Sequence, residues 1–145
     1  MNRRGFTLLE LVVTLAVISI IGAVATLAFR PTPRRHLYNA TLQLQADLRY
    51  TQRRAIMEGR PHGIEFDIWQ NRYRIMAFSP RQELRVVYLQ NGVWIGHLSQ
   101  GNRAGFSARG TALFSVTIPL NNGRYMQQMT IIPSGGRVYI NPISP

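Results

Sequence analysis

An uninterrupted apolar stretch dominates the start of the chain. It begins at Phe6, contains one carboxylate, Glu10, and then carries no charged side chain until Arg30. A helix rises about 1.5 Å per residue, so a stretch of this length spans the roughly 30 Å hydrocarbon core of a bilayer. An ionisable group inside a membrane is costly and by default indicates function. The pattern predicts a transmembrane helix over residues 6–29 that contains a functional carboxylate.

Two other interpretations of this stretch remain open. A cleaved secretory signal peptide is one, because small residues suited to a cleavage site occur within residues 21–28. A plain membrane anchor is the other, since an anchor accounts for the length of the apolar run. Neither explains the carboxylate of Glu10. Basic residues flank both ends of the run, so the positive-inside rule does not decide its orientation.

Two prolines separate the apolar helix from a second, amphipathic one. Pro31 and Pro33 lack amide donors and disfavour helix in the residues before them, which predicts a hinge or a kink. Apolar side chains then recur at spacings of three and four over residues 37–58, as expected for a helix with one buried face. Gly59 predicts the end of this helix. Residues 30–60 are therefore assigned to a hinge and a soluble helix.

Residues 61–145 change to a two-residue alternation of apolar and polar side chains, which predicts β-strands. The predicted strands are Ile64–Trp69, Tyr73–Phe78, Leu84–Gln90, Val93–Gly96, Phe114–Leu120, Met126–Ile132 and Arg137–Ile140. Asn91 and Gly92 form a strong hairpin signal, and Ser99–Gly110 is expected to be a loop. These strands are too many for one small sheet. We expect an α+β fold in which a long N-terminal helix precedes an antiparallel, sandwich-like domain of two sheets.

Composition narrows the chemistry that the chain can perform. Cysteine is absent from the 145 residues, which excludes disulfides and thiol chemistry. The 17 basic residues are all arginine, and with six acids they give a net charge of +11. Such a charge favours contact with polyanions or anionic membrane surfaces.

No catalytic or metal-binding pattern is evident in the sequence. The chain has three histidines, His36, His62 and His97. They lack the spacing of metal ligands and are expected at the surface or in turns. Glu65 and Asp67 are two residues apart and are expected on a solvated strand face. Ser134–Gly136 is expected to be a hairpin turn rather than an anion cradle. We therefore expect no enzyme, no metal and no cofactor.

The segment from Arg3 to Glu10 resembles the leader of type IV pilins and type II secretion pseudopilins. The resemblance implies that a prepilin peptidase removes residues 1–5 by cutting between Gly5 and Phe6, and then methylates the amine of Phe6. Glu10 takes the family's acidic position. Because a buried carboxylate must be paired, Glu10 would lie beside the N-terminus of a neighbouring subunit and set the register of assembly.

A second resemblance lies at the end of the amphipathic helix, where the chain is similar to the GspH/FimT group of minor pseudopilins. The matching residues are Asp47, Leu48, Arg49, Arg53, Ala55, Ile56 and Gly59. The two resemblances imply the pilin fold and a single-pass protein of the bacterial inner membrane, with a cytoplasmic N-terminus and a periplasmic globular domain. They also imply a structural subunit at the tip or initiation complex of a type II secretion pseudopilus or a type IV pilus. Its partners would be other minor and major pilins or pseudopilins, and secreted cargo.

Binding of DNA is the alternative function. FimT-like pilins of natural-transformation systems contact DNA through a C-terminal Gly-Arg-x-Arg motif. Gly136 and Arg137 resemble the first half of that motif, and Tyr139 stands where the second arginine belongs. Arginines interleaved with tyrosines suit a phosphate backbone with stacked bases, which adds Arg124 to the candidate DNA-binding residues. An ordinary charged surface explains the same arginines.

Overall fold

The computed structural model describes residues 7–28 and 32–145. The chain divides between Thr32 and Pro33 into two compact units. Its helices are α1 Leu8–Ala28 and α2 Pro33–Glu58, and its strands are β1 His62–Asp67, β2 Arg72–Phe78, β3 Arg81–Tyr88, β4 Trp94–Ile95, β5 Arg103–Phe106, β6 Val116–Asn121, β7 Met126–Ile132 and β8 Arg137–Ile140. A 3-10 turn, Ser134–Gly136, joins β7 to β8.

Local residues explain both ends of helix α2. It begins at Pro33, one turn earlier than predicted, because proline tolerates the first helical position, where its missing amide is not needed. It ends at Glu58, and the next residue, Gly59, has a φ of 62° in the left-handed region. The amide of Gly59 donates to the Ile56 carbonyl at 3.4 Å, and the amide of Arg60 donates to the Ala55 carbonyl at 3.3 Å. This pair of bonds is a Schellman motif, and it ends the helix at the place that Gly59 predicted.

The strands form two antiparallel sheets of four strands each, with the orders β3-β2-β1-β5 and β4-β6-β7-β8. The α+β class and the two sheets are therefore confirmed. Strand β5 lies within the stretch that was predicted to be a loop, so that prediction was wrong. Its short Arg-Ala-Gly-Phe segment has too little alternation to show from sequence, and it forms because Gly63 and Ile64 of β1 provide a pairing edge.

The hairpin expected at Asn91 and Gly92 has the right turn but the wrong pairing. Both residues have positive φ, 58° and 71°, and the amide of Val93 donates to the Gln90 carbonyl at 3.2 Å. The strands on either side nevertheless belong to different sheets, because β4 pairs with β6 instead of β3. The side chain of Asn71 explains this step. It donates to the Val93 carbonyl at 2.7 Å and accepts from the Ile95 amide at 3.1 Å, which directs the chain away from β3.

One hydrophobic core joins α2 to both sheets. The predicted stripe of α2 supplies buried side chains at Leu37, Leu44, Leu48 and Ala55. The sheets add further buried side chains: Ile64, Phe66, Tyr73, Ile75, Phe106, Ile118, Leu120, Met129 and Ile131. Helix α2 contacts β1, β2, β5, β6 and β7. The unit from Pro33 to Pro145 therefore has its own core.

Candidate functional site

The first turn of α1 holds the candidate assembly carboxylate, Glu10. The amide of Glu10 donates to the Thr7 hydroxyl at 3.3 Å, and the amide of Leu11 donates to the Thr7 carbonyl at 3.2 Å, so Thr7 caps the helix. A negative side chain in this turn is favoured by the helix dipole. Glu10 is exposed and forms no ion pair with any residue of 7–28 or 32–145.

Helix α1 places apolar side chains on every side. Those described, from residue 7 to residue 24, are all exposed, including Leu8 at 82%, Ile18 at 65% and Val24 at 63%. A helix that is apolar all round is normally covered by protein or by lipid. Among the helices of the described chain, none reaches the length and apolarity that crossing a bilayer requires.

The predicted cleavage and methylation residues, Gly5 and Phe6, lie outside the described part of the chain. The proline break is described in part. Thr32 is not helical and α2 starts at Pro33, whereas Pro31 lies outside the described residues. Both sets of assignments stay predictions.

A buried carboxylate, Asp47, ties α2 to the first sheet. Its side chain faces the core, 6% exposed. It accepts a hydrogen bond from the Tyr73 hydroxyl of β2 at 2.6 Å and another from the guanidinium of Arg85 of β3. Burial, together with the bond to Asp47, raises the pKa of Tyr73 well above its ordinary range. Tyr73 therefore stays neutral and remains a donor, which keeps the carboxylate paired.

Glu65 is a second buried carboxylate, and the expectation of a solvated position for it was wrong. It is 6% exposed. Arg81 donates to it at 2.9 Å, Arg103 lies at 3.1 Å and Arg74 at 3.6 Å. Register explains this cluster, because β1 lies between β2 and β5 and each neighbouring strand brings an arginine opposite Glu65. Asp67 is half-buried and pairs with Arg72 at 3.2 Å.

His62 is also buried, although a surface or turn position was expected for it. Its Nδ1 lies 3.0 Å from the Arg60 carbonyl, which accepts a hydrogen bond from the Nδ1–H tautomer. Its Nε2 lies 3.3 Å from Glu58. Hydrogen bonds from Arg54 and Arg60 lower the pKa of Glu58 to about 2. Glu58 is thus a charged group at the end of α2, and it forms ion pairs with Arg54 and Arg60.

No set of three or more metal-ligating side chains comes together within residues 7–28 and 32–145. His36 is half-buried near the start of α2, and His97 is exposed after β4. The Ser134–Gly136 turn connects two paired strands, as predicted for a hairpin.

The candidate DNA-binding residues do not form one site. Arg137 and Tyr139 share a face of β8 and line a cleft of about 340 Å³ with Arg49 of α2. Gln52 closes the base of this cleft, where its Nε2 donates to the Gly110 carbonyl at 2.7 Å. Arg124 lies in the turn before β7, at the opposite end of that strand, roughly 20 Å away along a strand of this length. The structure adds Arg49, which the sequence analysis had not singled out for this role.

Comparison with known proteins identifies the family and the fold of the chain. The chain matches a prokaryotic N-terminal methylation motif over residues 1–26 and the type II transport protein GspH over residues 40–136. No curated protein matches it.

Several solved structures resemble it, and two of them represent different proteins. One is the type IV minor pilin FimU of Pseudomonas aeruginosa, with a TM-score of 0.62, 19% identity and coverage of 75% of this chain and 90% of FimU. The other is the minor pseudopilin EpsH from the Type 2 Secretion System of Vibrio cholerae, with a TM-score of 0.63, 13% identity and coverage of 73% and 96%.

At these identities the likeness to solved structures establishes the fold alone, and that fold is the expected pilin fold. The family match rests on sequence and extends over most of the chain. The chain therefore belongs to the family of type II transport proteins GspH.

Proposed function

We propose that this chain is a minor pseudopilin or minor pilin. It is held in the bacterial inner membrane by its N-terminal helix and joins the tip or initiation complex of a short filament. The filament drives type II secretion or type IV pilus assembly. The observation that carries the proposal is Glu10, an exposed carboxylate without an ion pair in the described chain, in the first turn of an otherwise apolar helix.

Assembly follows from the cost of leaving that carboxylate unpaired. In lipid or between packed apolar helices, a lone carboxylate is expensive unless an opposite charge lies beside it. Cleavage after Gly5 creates such a charge, the amino terminus of Phe6, on each neighbouring subunit. Staggered subunits then pair Glu10 of one with Phe6 of the next. The exposed apolar side chains of α1 are covered by the helices that this register brings together.

The same proposal sets topology and partners. The prepilin peptidase cuts on the cytoplasmic side, so the N-terminus is cytoplasmic and the unit from Pro33 to Pro145 is periplasmic. Partners are other minor and major subunits, and the secreted cargo. The absence of cysteine is compatible with a periplasmic domain, since this core needs no disulfide.

Substitution of Gly5 tests the processing step on which this function depends. Gly5→Leu places a branched side chain at the cleavage site, and we expect it to leave essentially all of the chain uncut and outside filaments. The measurement is the mass of the membrane-extracted protein, together with the N-terminal peptide and its methylation.

Gly22→Leu is the matched control, because a Cβ at Gly22 meets nothing within 4 Å and the substitution lies away from the leader. It should be cut and methylated like the wild type. Recovery of Gly5→Leu at mature mass would refute the proposed processing.

The cleft beside β8 supports a second candidate function, binding of DNA. Arg49, Arg137 and Tyr139 offer two cations and an aromatic ring around one opening, which suits a phosphate and a stacked base. We expect Arg137→Gln to weaken binding of duplex DNA by the unit from Pro33 to Pro145, and to reduce the slope of log affinity against log salt by about 1. Mobility shifts over a salt series measure both.

Arg124→Gln removes the same charge at the other end of β7 and serves as the control. Equal losses from the two variants would point to a diffuse electrostatic attraction instead of the cleft. No shift even at low salt would exclude DNA binding by this unit.

A further inference from the structure

Trp69 is 97% exposed at the tip of the turn between β1 and β2. A large aromatic side chain held fully in water is unfavourable, and an isolated turn does not need one. Asp67 and Asn71 already shape the turn, because the Asp67 carboxylate accepts from the Gln70 amide at 3.2 Å and Asn71 adopts a φ of 48°. The turn therefore does not need the Trp69 ring for its own stability.

Trp69 lies at the same end of its unit as Pro33, the point where the chain enters that unit. Asn122, in the turn after β6, donates from its side chain to the Pro33 carbonyl at 2.8 Å. The neighbouring Asn121 pairs with Trp94 of β4. Asn71 of the Trp69 turn bonds to the residues on both sides of Trp94.

This end of the unit is cationic as well as aromatic. Arg34, Arg35 and Arg124 are exposed there, and none forms an ion pair within the part of the chain that the structure describes. Asp67, the carboxylate of the Trp69 turn, is already occupied by Arg72. Exposed aromatic rings accompany the arginines, with Trp94 at 48% and Tyr88 at 56%.

We propose that this end, defined by Arg34, Arg35, Trp69, Trp94 and Arg124, binds the anionic headgroup surface of the membrane with Trp69 inserted at the interface. Tryptophan and tyrosine concentrate at the membrane–water boundary, where an amphipathic ring contacts both phases. Arginine near a surface of anionic lipid is attracted by its negative potential. The inference rests on the proposed anchor, because the chain enters this unit at Pro33 from the membrane segment.

A lipid surface fits this end better than a protein groove or a nucleic acid. Trp69 projects from a turn tip instead of lining a concave site, and its exposure leaves the whole ring available for insertion. Covalent connection to the proposed anchor holds this end close to the bilayer, so even weak attraction at the surface is effective.

Tryptophan fluorescence of the full chain tests this contact directly. The chain has two tryptophans, so Trp94→Phe leaves Trp69 as the one reporter. The variant is reconstituted into vesicles of phosphatidylcholine with or without phosphatidylglycerol, using lipids brominated near the headgroup end of the acyl chain. Flotation with the vesicles measures anchoring. We expect Trp69 emission to shift to shorter wavelength and to be quenched in the anionic vesicles, with both effects weakening at high salt.

Charge removal should reverse the contact by a defined amount. Arg34→Gln with Arg35→Gln, in the same Trp94→Phe chain, should lower the bound-to-free ratio of the tethered unit by about fivefold for each arginine. Arg109→Gln is the control, because it removes an exposed charge beside Gly110, whose carbonyl accepts a hydrogen bond from Gln52. This variant should leave the bound-to-free ratio unchanged.

The outcomes separate this inference from the anchor. If the chain floats with the vesicles but Trp69 still emits as in water and is not quenched in anionic vesicles, the lipid contact is overturned. The proposed anchor is then unaffected. Failure to float overturns the anchor and this inference with it. Shielding of Trp69 that appears when other filament subunits or DNA are added, but not with lipid, assigns the surface to that partner and also overturns the proposal.

Discussion

Asp47→Ala is expected to destabilise the unit from Pro33 to Pro145 by roughly 2–4 kcal/mol, as measured by chemical denaturation. The substitution removes the acceptor that the Tyr73 hydroxyl and the Arg85 guanidinium share. Tyr73 is 2% exposed and so loses its partner where water does not replace it. The side chain of Arg85 is half exposed and recovers hydration, which places the expected cost below that of breaking a fully buried ion pair.

Two further variants make this prediction specific. Asp47→Asn keeps the size and one acceptor oxygen, so it should cost less than alanine while still losing the charge that holds Arg85. Glu83→Ala removes an exposed carboxylate whose arginine lies 3.9 Å away, and it should change the free energy of unfolding by less than about 1 kcal/mol. An Asp47→Ala unit as stable as Glu83→Ala would show that the bonds to Asp47 contribute little.

Periodicity was enough to predict the fold class. Helix α2 shows its buried face through Leu37, Leu44, Leu48 and Ala55, and that face does contact the sheets. Strands β7 and β8 were placed at their observed bounds because turn residues flank each alternating run. These features depend on neighbours along the chain, which is the information that a pattern of positions contains.

Pairing between distant segments was harder to predict. The Asn91–Gly92 turn was right locally, but a side chain from another turn, Asn71, decided which sheet the chain joined next. Strand β5 has little alternation of its own and forms on the edge of β1. Both depend on contacts between residues far apart in sequence, so no local pattern announces them.

The buried acids show what a register argument adds. The predicted strands end at Trp69 and resume at Tyr73, whereas the observed turn, residues 68–71, sets the register that places Arg74 opposite Glu65. Arg103 arrives through β5, which was not predicted, so full burial of Glu65 could not be foreseen. Trp69 was predicted to be the last residue of a strand, whereas β1 ends at Asp67 and leaves Trp69 exposed in the turn.

The candidate assembly residue, Glu10, differs from the buried acids, because the sequence indicates its role and contacts within the chain do not. In the single chain Glu10 is an exposed acid in a capped first turn, which by itself contributes a few tenths of a kcal/mol to about 1 kcal/mol to helix stability. The leader motif and the apolar run give that acid a partner in another subunit. The two roles differ enough in magnitude for one substitution to distinguish them.

Glu10→Ala is expected to reduce incorporation into filaments by about a hundredfold or more, since loss of a paired charge in apolar surroundings costs roughly 3–5 kcal/mol. The substitution leaves the amine of the neighbouring Phe6 unpaired. Cleavage after Gly5 and methylation should continue, because Glu10 lies outside the cleavage site. The measurement is the ratio of mutant to wild-type subunit in filaments sheared from cells that express both at equal levels.

Glu10→Gln and Glu83→Ala complete the comparison. Glutamine keeps the length and polarity of the side chain but not its charge, so a capping role would tolerate it and a charge pair would not. Glu83→Ala removes an acid from the exposed strand β3 and should incorporate normally. If Glu10→Gln incorporates as well as wild type while Glu10→Ala does not, the acid acts through polarity at the helix start, and pairing with the neighbour's amine is excluded as the force that sets the register.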